Sequence, residues 1–108
     1  MNNTEYMRKA MRTAGNLTKD EKLLNAALGL CGESGEFADH IKKHTFQGHN
    51  LDENYLINEL GDIYWYLALA ANALGYTISE IMTININKLQ KRYPGKGFDS
   101  ERSINRKD

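Results

Sequence analysis

Four carboxylates fall in two pairs, and each pair lies on the apolar stripe of a predicted helix. Glu33 and Glu36 form a Glu-x-x-Glu pair, and Glu59 and Asp62 form a Glu-x-x-Asp pair on the next helix. Residues three apart are neighbours on one helix face, so each pair projects from one place. Buried carboxylates that lack a partner are costly, and four together repel one another. The pattern therefore predicts a site that holds cations.

Divalent metal is the compensation that this pattern favours. The two stripes contain no basic side chain, and oxygen-only ligands suit Mg²⁺, with Mn²⁺ as a second option. A di-iron carboxylate bundle would need Glu-x-x-His on two helices. No glutamate here has a histidine three residues later, which disfavours iron. The predicted metal ligands are Glu33, Glu36, Glu59 and Asp62.

A second polar group lies on the fourth predicted helix. Asn85 interrupts an apolar stripe there, and Lys88 follows one turn later. An amide oxygen binds a metal or accepts from a ligand, and a lysine neutralises phosphate. A satisfied core asparagine beside a lysine whose stem lies along the apolar surface explains the two residues equally well.

The other reactive side chains give weaker signals. Cys31 has no Cys-x-x-Cys context, so we expect a reduced packing residue beside the apolar stripe. We expect surface or loop positions for the histidines, which are His40, His44 and His49. We expect core or interface positions, rather than stacking on a base, for Tyr64, Trp65 and Tyr66. No Gly-x-x-x-x-Gly-Lys-Ser/Thr sequence is present, which excludes a P-loop nucleotidase.

The elements that must position these residues are helices. The 108 residues predict one domain (1–108), and no segment alternates as a strand does. We divide it into an N-terminal helix (1–16), core helices (18–93) and a basic tail (94–108). The helices are expected at roughly 4–14, 18–46, 53–74 and 77–93. Short connections between four helices favour an all-α antiparallel bundle.

Residue types that start and stop helices support these boundaries. Thr18 with Glu21 reads as a capping box, as does Thr77 with Glu80. Asp52 suits the N-cap of the third helix. Helix ends are expected at Gly15, Gly75 and Pro94.

The third predicted helix is apolar on nearly every side over Ile63–Ala71. A helix of this kind is buried all round, and a lone small bundle covers about one side of it. We therefore expect a partner subunit, in a homodimer or homotetramer.

Charge and hydropathy exclude several classes of protein. The formal net charge is zero, which argues against a nucleic-acid coat or a polybasic membrane binder. The N-terminus is polar, and the longest apolar run has nine residues, whereas a membrane span needs about twenty. We expect a cytoplasmic protein with neither nucleic acid nor membrane as partner. An acidic stretch (50–90) precedes a segment with net positive charge (91–108), which suggests a cation site near an anion site.

Three motifs together resemble the MazG-like nucleotide pyrophosphohydrolases. They are Gly-Glu-Ser-Gly-Glu-Phe-Ala-Asp (32–39), Asn-Glu-Leu-Gly-Asp-Ile-Tyr-Trp-Tyr-Leu (58–67), and Asn-x-x-Lys-Leu-x-x-Arg-Tyr-Pro with Gly-x-Gly-Phe (85–98). The resemblance covers about residues 25–106. In the family the first pair belongs to a Glu-Glu-x-x-Glu pattern, and here Gly32 stands in place of its first glutamate.

The resemblance implies an all-α fold and hydrolysis of a nucleoside triphosphate to monophosphate and pyrophosphate. It implies two or more Mg²⁺ ions on the four carboxylates, with Glu36 or Glu33 taking a proton from water. It also implies a phosphate-binding set in the C-terminal part of the chain, comprising Asn85, Lys88, Arg92, Lys96, Arg102 and Arg106.

Two alternatives belong to other functional classes. A non-catalytic helical dimer that acts as an interaction module would explain the apolar third helix, but it leaves the four carboxylates without a cause. A nucleotide binder that keeps the metal site without turnover is the other, and Gly32 makes it possible.

Overall fold

The computed structural model describes residues 1–95 and 97–106, and its regular structure is helical. The helices are α1 (Asn3–Met11), α2 (Lys19–Gln47), α3 (Glu53–Ala73), α4 (Ile78–Arg92) and α5 (Ser100–Ile104). No strand occurs in the described residues, which confirms the all-α class. Lys96, predicted to bind phosphate, lies outside them. The chain divides into two compact units, Met1–Ile78 and Ser79–Asp108.

Both long helices begin at the predicted caps. Thr18 Oγ1 accepts from the Glu21 amide at 3.2 Å, and Glu21 Oε1 accepts from the Thr18 amide at 2.9 Å. This reciprocal pair is the predicted capping box of α2. Asp52 Oδ1 accepts from the Tyr55 amide at 3.1 Å and so caps α3. Local sequence therefore fixes where these two helices start.

Helix ends agree less closely with the prediction. Helix α1 ends at Met11, earlier than expected, because the Thr13 amide and hydroxyl both donate to the Ala10 carbonyl, at 3.0 and 2.6 Å. Gly75 does follow α3, with φ of 77°, and the Tyr76 amide bonds the Ala71 carbonyl at 2.9 Å. The tail contains the short helix α5, which the tail sequence did not predict.

In the first unit, α2 and α3 form an antiparallel hairpin. Lys22 Nζ donates to Asn72 Oδ1 at 2.8 Å near one end. At the other end the His40 and Tyr55 rings stack with centroids 4.8 Å apart. Paired positions thus run in opposite directions along the two helices, which places the middle of α2 beside the middle of α3.

Helix α1 packs on α3 and holds two of its aromatic residues. The Tyr6 and Tyr64 rings meet edge to face at 5.1 Å, and Tyr64 Oη donates to Asn3 Oδ1 at 2.6 Å. Trp65 Nε1 donates to Thr13 Oγ1 at 2.9 Å and to the Ala10 carbonyl at 3.3 Å. The N-terminal helix is therefore tied to the central helix by both rings and hydrogen bonds.

The chain itself covers part of the apolar segment that we expected a partner to cover. Within Ile63–Ala71, Ala68 and Leu69 are 0 % exposed and Ala71 is 1 % exposed. The large apolar residues that α2 and α3 leave exposed include Leu24, Leu28, Ile57 and Leu60. Cys31 is exposed too. Cys31 was expected to be a reduced packing residue, and within the described chain it is free and packs against no other element.

Among the described residues, no single helix has both the length and the apolar composition needed to cross a membrane. By length and composition alone, α3 and α4 taken together meet that criterion, as buried core helices also can.

Candidate metal centre

The hairpin brings three of the four predicted metal ligands together. One carboxylate oxygen from each of Glu33, Glu59 and Asp62 lies within 4.8 Å of the other two. Glu59 is only 7 % exposed, Glu33 is half-buried and Asp62 is exposed. The three oxygens can therefore contact one cation from α2 on one side and α3 on the other.

Spacing explains why these side chains meet. Glu59 and Asp62 are three residues apart on α3, so they share a face. Glu33 is near the middle of α2 and faces α3, because α2 buries Ala26 toward the same side two turns earlier. Apolar contacts along the hairpin thus carry the carboxylates to a common point.

Within the described residues, two buried carboxylate oxygens of the cluster lack a hydrogen-bond partner. Neither Glu33 Oε2 nor Glu59 Oε2 has a hydrogen-bond partner in the described chain. Buried polar atoms are almost always paired, and those that are not need an explanation. A divalent cation explains both atoms, because an all-oxygen donor set fits Mg²⁺ or Mn²⁺. The residues present therefore fit the metal that the resemblance implies.

Crowding of negative charge perturbs the acidity of Glu59. The interaction with the Glu33 side chain is the largest cause, burial is the next, and repulsion from Glu33 and Glu36 adds to both. Together they raise the pKa of Glu59 to about 7. A bound cation would neutralise the cluster in place of a proton on Glu59, so metal and proton compete for this carboxylate.

Glu36 differs from the other predicted ligands. It is exposed, and it interacts with Glu59, but it is not one of the three residues whose oxygens converge. Its side chain is open to solvent beside the cluster.

Two aromatic residues complete a cleft beside the carboxylates. Glu33, Asp62, Trp65 and Tyr66 line a cleft of about 330 Å³. The Trp65 and Tyr66 rings meet edge to face at 5.1 Å. The sequence favoured core or interface positions for both residues, and the structure shows them half-buried and lining the cleft. Helical spacing could have indicated the place of Tyr66 at the site, because Tyr66 is one turn after Asp62 and so lies on the same face.

The histidines hold the connection between α2 and α3. His40 is half-buried, and its Nε2 accepts from the Asp52 amide at 2.9 Å. The His44 Nδ1 and the His49 carbonyl lie 2.8 Å apart. Burial raises the pKa of Tyr55, which stacks on His40, and repulsion from Glu59 and Glu36 adds to it. None of the three histidines belongs to the carboxylate cluster in the described chain.

The second unit contains the residues predicted to bind phosphate. Asn85 and Lys88 are exposed on α4, and Arg92 is half-buried at its end. Arg102 donates from Nε to the Arg92 carbonyl and from Nη2 to the Lys91 carbonyl, the latter at 3.3 Å. Arg106 is exposed after α5. Arg102 therefore caps the C-terminus of α4, and the phosphate-binding role of the whole set stays a prediction.

Comparison with known proteins agrees with the family resemblance of the three sequence motifs. The family model of the MazG nucleotide pyrophosphohydrolase domain matches residues 21–96. Gene 37 protein of Mycobacterium phage L5 is 41% identical over 83 residues, and the alignment covers 73% of each chain. No solved structure matches this chain significantly. The matched region contains the carboxylate cluster and nearly all of the hairpin that forms it. This chain therefore belongs to the MazG nucleotide pyrophosphohydrolase family.

Proposed function

We propose that this protein hydrolyses (deoxy)nucleoside triphosphates to monophosphate and pyrophosphate with Mg²⁺, as a nucleotide-pool house-cleaning enzyme. The observation that carries the proposal is the cluster of Glu33, Glu59 and Asp62, with two buried oxygens that lack partners. In a domain of this family, that cluster is best explained as the place where metal and triphosphate meet.

The ligands in this proposal are Glu33, Glu59 and Asp62, with Glu36 at the solvent side. Mg²⁺, when bound, neutralises phosphate charge and lowers the pKa of a water molecule. The carboxylates orient the triphosphate by holding its counter-ion. Mn²⁺ should substitute, because it accepts the same oxygen donors.

Proton removal from the attacking water falls to Glu36 or Glu33. Glu36 is the better candidate, because it lies beside Glu59 but outside the converging trio. A carboxylate that is not fully used as a ligand is free to accept a proton. Water then adds to the triphosphate, the bond between the α- and β-phosphates breaks, and pyrophosphate leaves.

The basic residues of the second unit would bind the anionic end of the substrate. We assign this role to Lys88, Arg92, Lys96, Arg102 and Arg106, with Asn85 as an amide partner. Arg102 has the weakest case, since it donates to backbone carbonyls at the end of α4.

We further propose a homodimer or homotetramer in the cytoplasm. Exposed leucine and isoleucine side chains on both hairpin helices would be covered by a second chain, as in Leu28, which is 66% exposed, and Ile57, which is 63% exposed. Monomers rarely expose a large contiguous apolar patch. Light scattering at micromolar concentration tests this, and a stable active species of 12.3 kDa would contradict it.

Two other functions make different predictions for the same assay. An interaction module would bind no metal at Glu59, whereas a nucleotide binder would bind metal and triphosphate without turnover. In the second case, Gly32→Glu would restore the family's glutamate and produce turnover.

The deciding experiment is a panel of standard and damaged nucleotides incubated with Mg²⁺, in which monophosphate and pyrophosphate are both quantified. We expect equal amounts of the two products, and none with EDTA. Glu59→Gln should be inactive. Glu53→Gln is the matched control, because Glu53 is an exposed glutamate in the first turn of the same helix. Release of orthophosphate instead of pyrophosphate would overturn the proposal.

A further inference from the structure

Helix α2 has a glycine where the ring of Tyr66 lies against it. An ideal Cβ built on Gly29 would lie 2.3 Å from Cε1 and 2.4 Å from Cδ1 and Cζ of Tyr66. Distances under 3.0 Å essentially never occur for real Cβ atoms. The ring therefore occupies the space that any side chain at position 29 would need.

Other glycines of the hairpin lack such a neighbour. A Cβ at Gly32, Gly35 or Gly61 would meet nothing within 4 Å. Gly29 also has no positive φ, so its backbone does not require glycine. Glycine lowers the stability of a helix interior relative to alanine. The contact with the Tyr66 ring is thus the steric reason for glycine at position 29.

The contact lies next to the carboxylates. Gly29 is one turn before Glu33 on α2, and Tyr66 is one turn after Asp62 on α3. Glu33, Asp62 and Tyr66 line the same cleft. The Tyr66 ring is bounded by the α2 backbone on one side and by the edge-to-face contact with Trp65 on another. Displacing the ring would change the wall of the cleft and leave the positions of Glu33 and Asp62 on their helices unchanged.

We infer that Gly29 is a positioning residue that sets the shape of the substrate cleft through the ring of Tyr66. This inference rests on the proposed function, because the cleft is taken to receive the nucleotide. A methyl group at position 29 displaces the ring, and the nucleotide then binds in a cleft of the wrong width. Binding should suffer more than the chemical step, since the metal ligands are unchanged.

The test is a double-mutant cycle with Gly29→Ala and Tyr66→Ala, in which kcat and KM are measured at saturating Mg²⁺. Gly29→Ala should raise KM by about tenfold and change kcat by less than about threefold. In the Tyr66→Ala background the same substitution should change KM by less than about twofold, because no ring remains to be displaced. An equal effect in both backgrounds would overturn the inference.

Gly35→Ala is the matched control on the same helix, and its KM should equal that of the wild type. Near-UV circular dichroism gives a readout that needs no turnover, because Trp65 is the single tryptophan and contacts the Tyr66 ring. We expect the spectrum of Gly29→Ala to change and that of Gly35→Ala to stay the same. An unchanged Gly29→Ala spectrum would refute ring displacement.

The two proposals fail separately. A wild-type protein that releases no pyrophosphate contradicts the proposed function, while the near-UV spectra still decide whether Gly29 positions the ring. If Gly29→Ala does not fold, the double variant with Tyr66→Ala should recover the far-UV spectrum. A double variant that also fails to fold would show that Gly29 acts by another route, against the inference.

Discussion

The two halves of the α2–α3 hairpin bury different chemistry with the same two helices. Toward the C-terminal half of α3 the buried residues are small or apolar, as with Ala26, Leu69 and Ala71. Around the middle of the hairpin the buried residue is Glu59, whose neighbour Glu33 also has a buried oxygen without a partner. Apolar burial stabilises folding, whereas unpaired buried carboxylates oppose it. The apolar half, which contains Leu69 and Ala71, thus holds the helices together against the repulsion in the charged half, which contains Glu33 and Glu59.

The largest expected effect comes from neutralising the charged half. Glu59→Gln should lower turnover at least about 1,000-fold, because the metal loses its most buried ligand. Asp62→Asn should behave in the same way. Steady-state pyrophosphate release measures both, and far-UV circular dichroism should show that the helices persist. Turnover near the wild-type value in either variant would remove the cluster from the mechanism.

The apolar half should respond to substitution in stability rather than in activity. Leu69→Ala should lower the free energy of unfolding by about 2–5 kcal/mol, because it opens a cavity at a fully buried position. Urea titration measures this. Leu51→Ala, at an exposed position in the connection between α2 and α3, serves as the control and should cost much less. Equal losses for the two variants would contradict the role of Leu69 in the core.

Metal should convert the repulsive half into a stabilising one. Mg²⁺ at about 100 times its dissociation constant should add about 2.7 kcal/mol, or about 10 °C in Tm for a chain of this size. Differential scanning fluorimetry measures the shift, and Asp62→Asn should abolish it. A Tm that ignores Mg²⁺ in the wild type would contradict a shared metal site.

A smaller effect follows from the acidity of Glu59. Its pKa is raised from 4.5 to about 7 in the folded chain, so the folded state holds a proton that the unfolded state releases. The stabilisation is complete below the unfolded pKa and is lost as pH rises through the folded one. The Tm of metal-free protein should therefore fall between pH 5 and pH 8 through this group, more steeply than that of Glu59→Gln. Identical slopes for the two proteins would show that Glu59 is not perturbed.

Sequence predicted the charged half better than its surroundings. Helical spacing predicted that Glu33, Glu59 and Asp62 would project toward one site, but it predicted the same for Glu36, which does not converge with them. The caps at Thr18 and Asp52 followed from local hydrogen bonds. Such features depend on residues a few positions apart, which a sequence shows directly.

Features that depend on distant neighbours were missed. The place of Tyr66 in the cleft depends on Gly29 across the hairpin, and the exposure of Cys31 depends on which face of α2 meets α3. The role of Arg102 as a cap depends on the path of the chain after α4. Spacing along one helix gives a residue's face, but it does not give the element that covers that face.

The attachment of α1 to Trp65 bears on where this domain begins. The region matched by the family model starts at residue 21, whereas the Trp65 indole is held by Thr13 and Ala10. A fragment that starts at residue 21 would keep the carboxylates of the cluster and lose the hydrogen bonds between α1 and Trp65. The residues that hold the site together therefore extend N-terminal to the region that the family model matches. Truncated or tagged forms of the protein should keep α1.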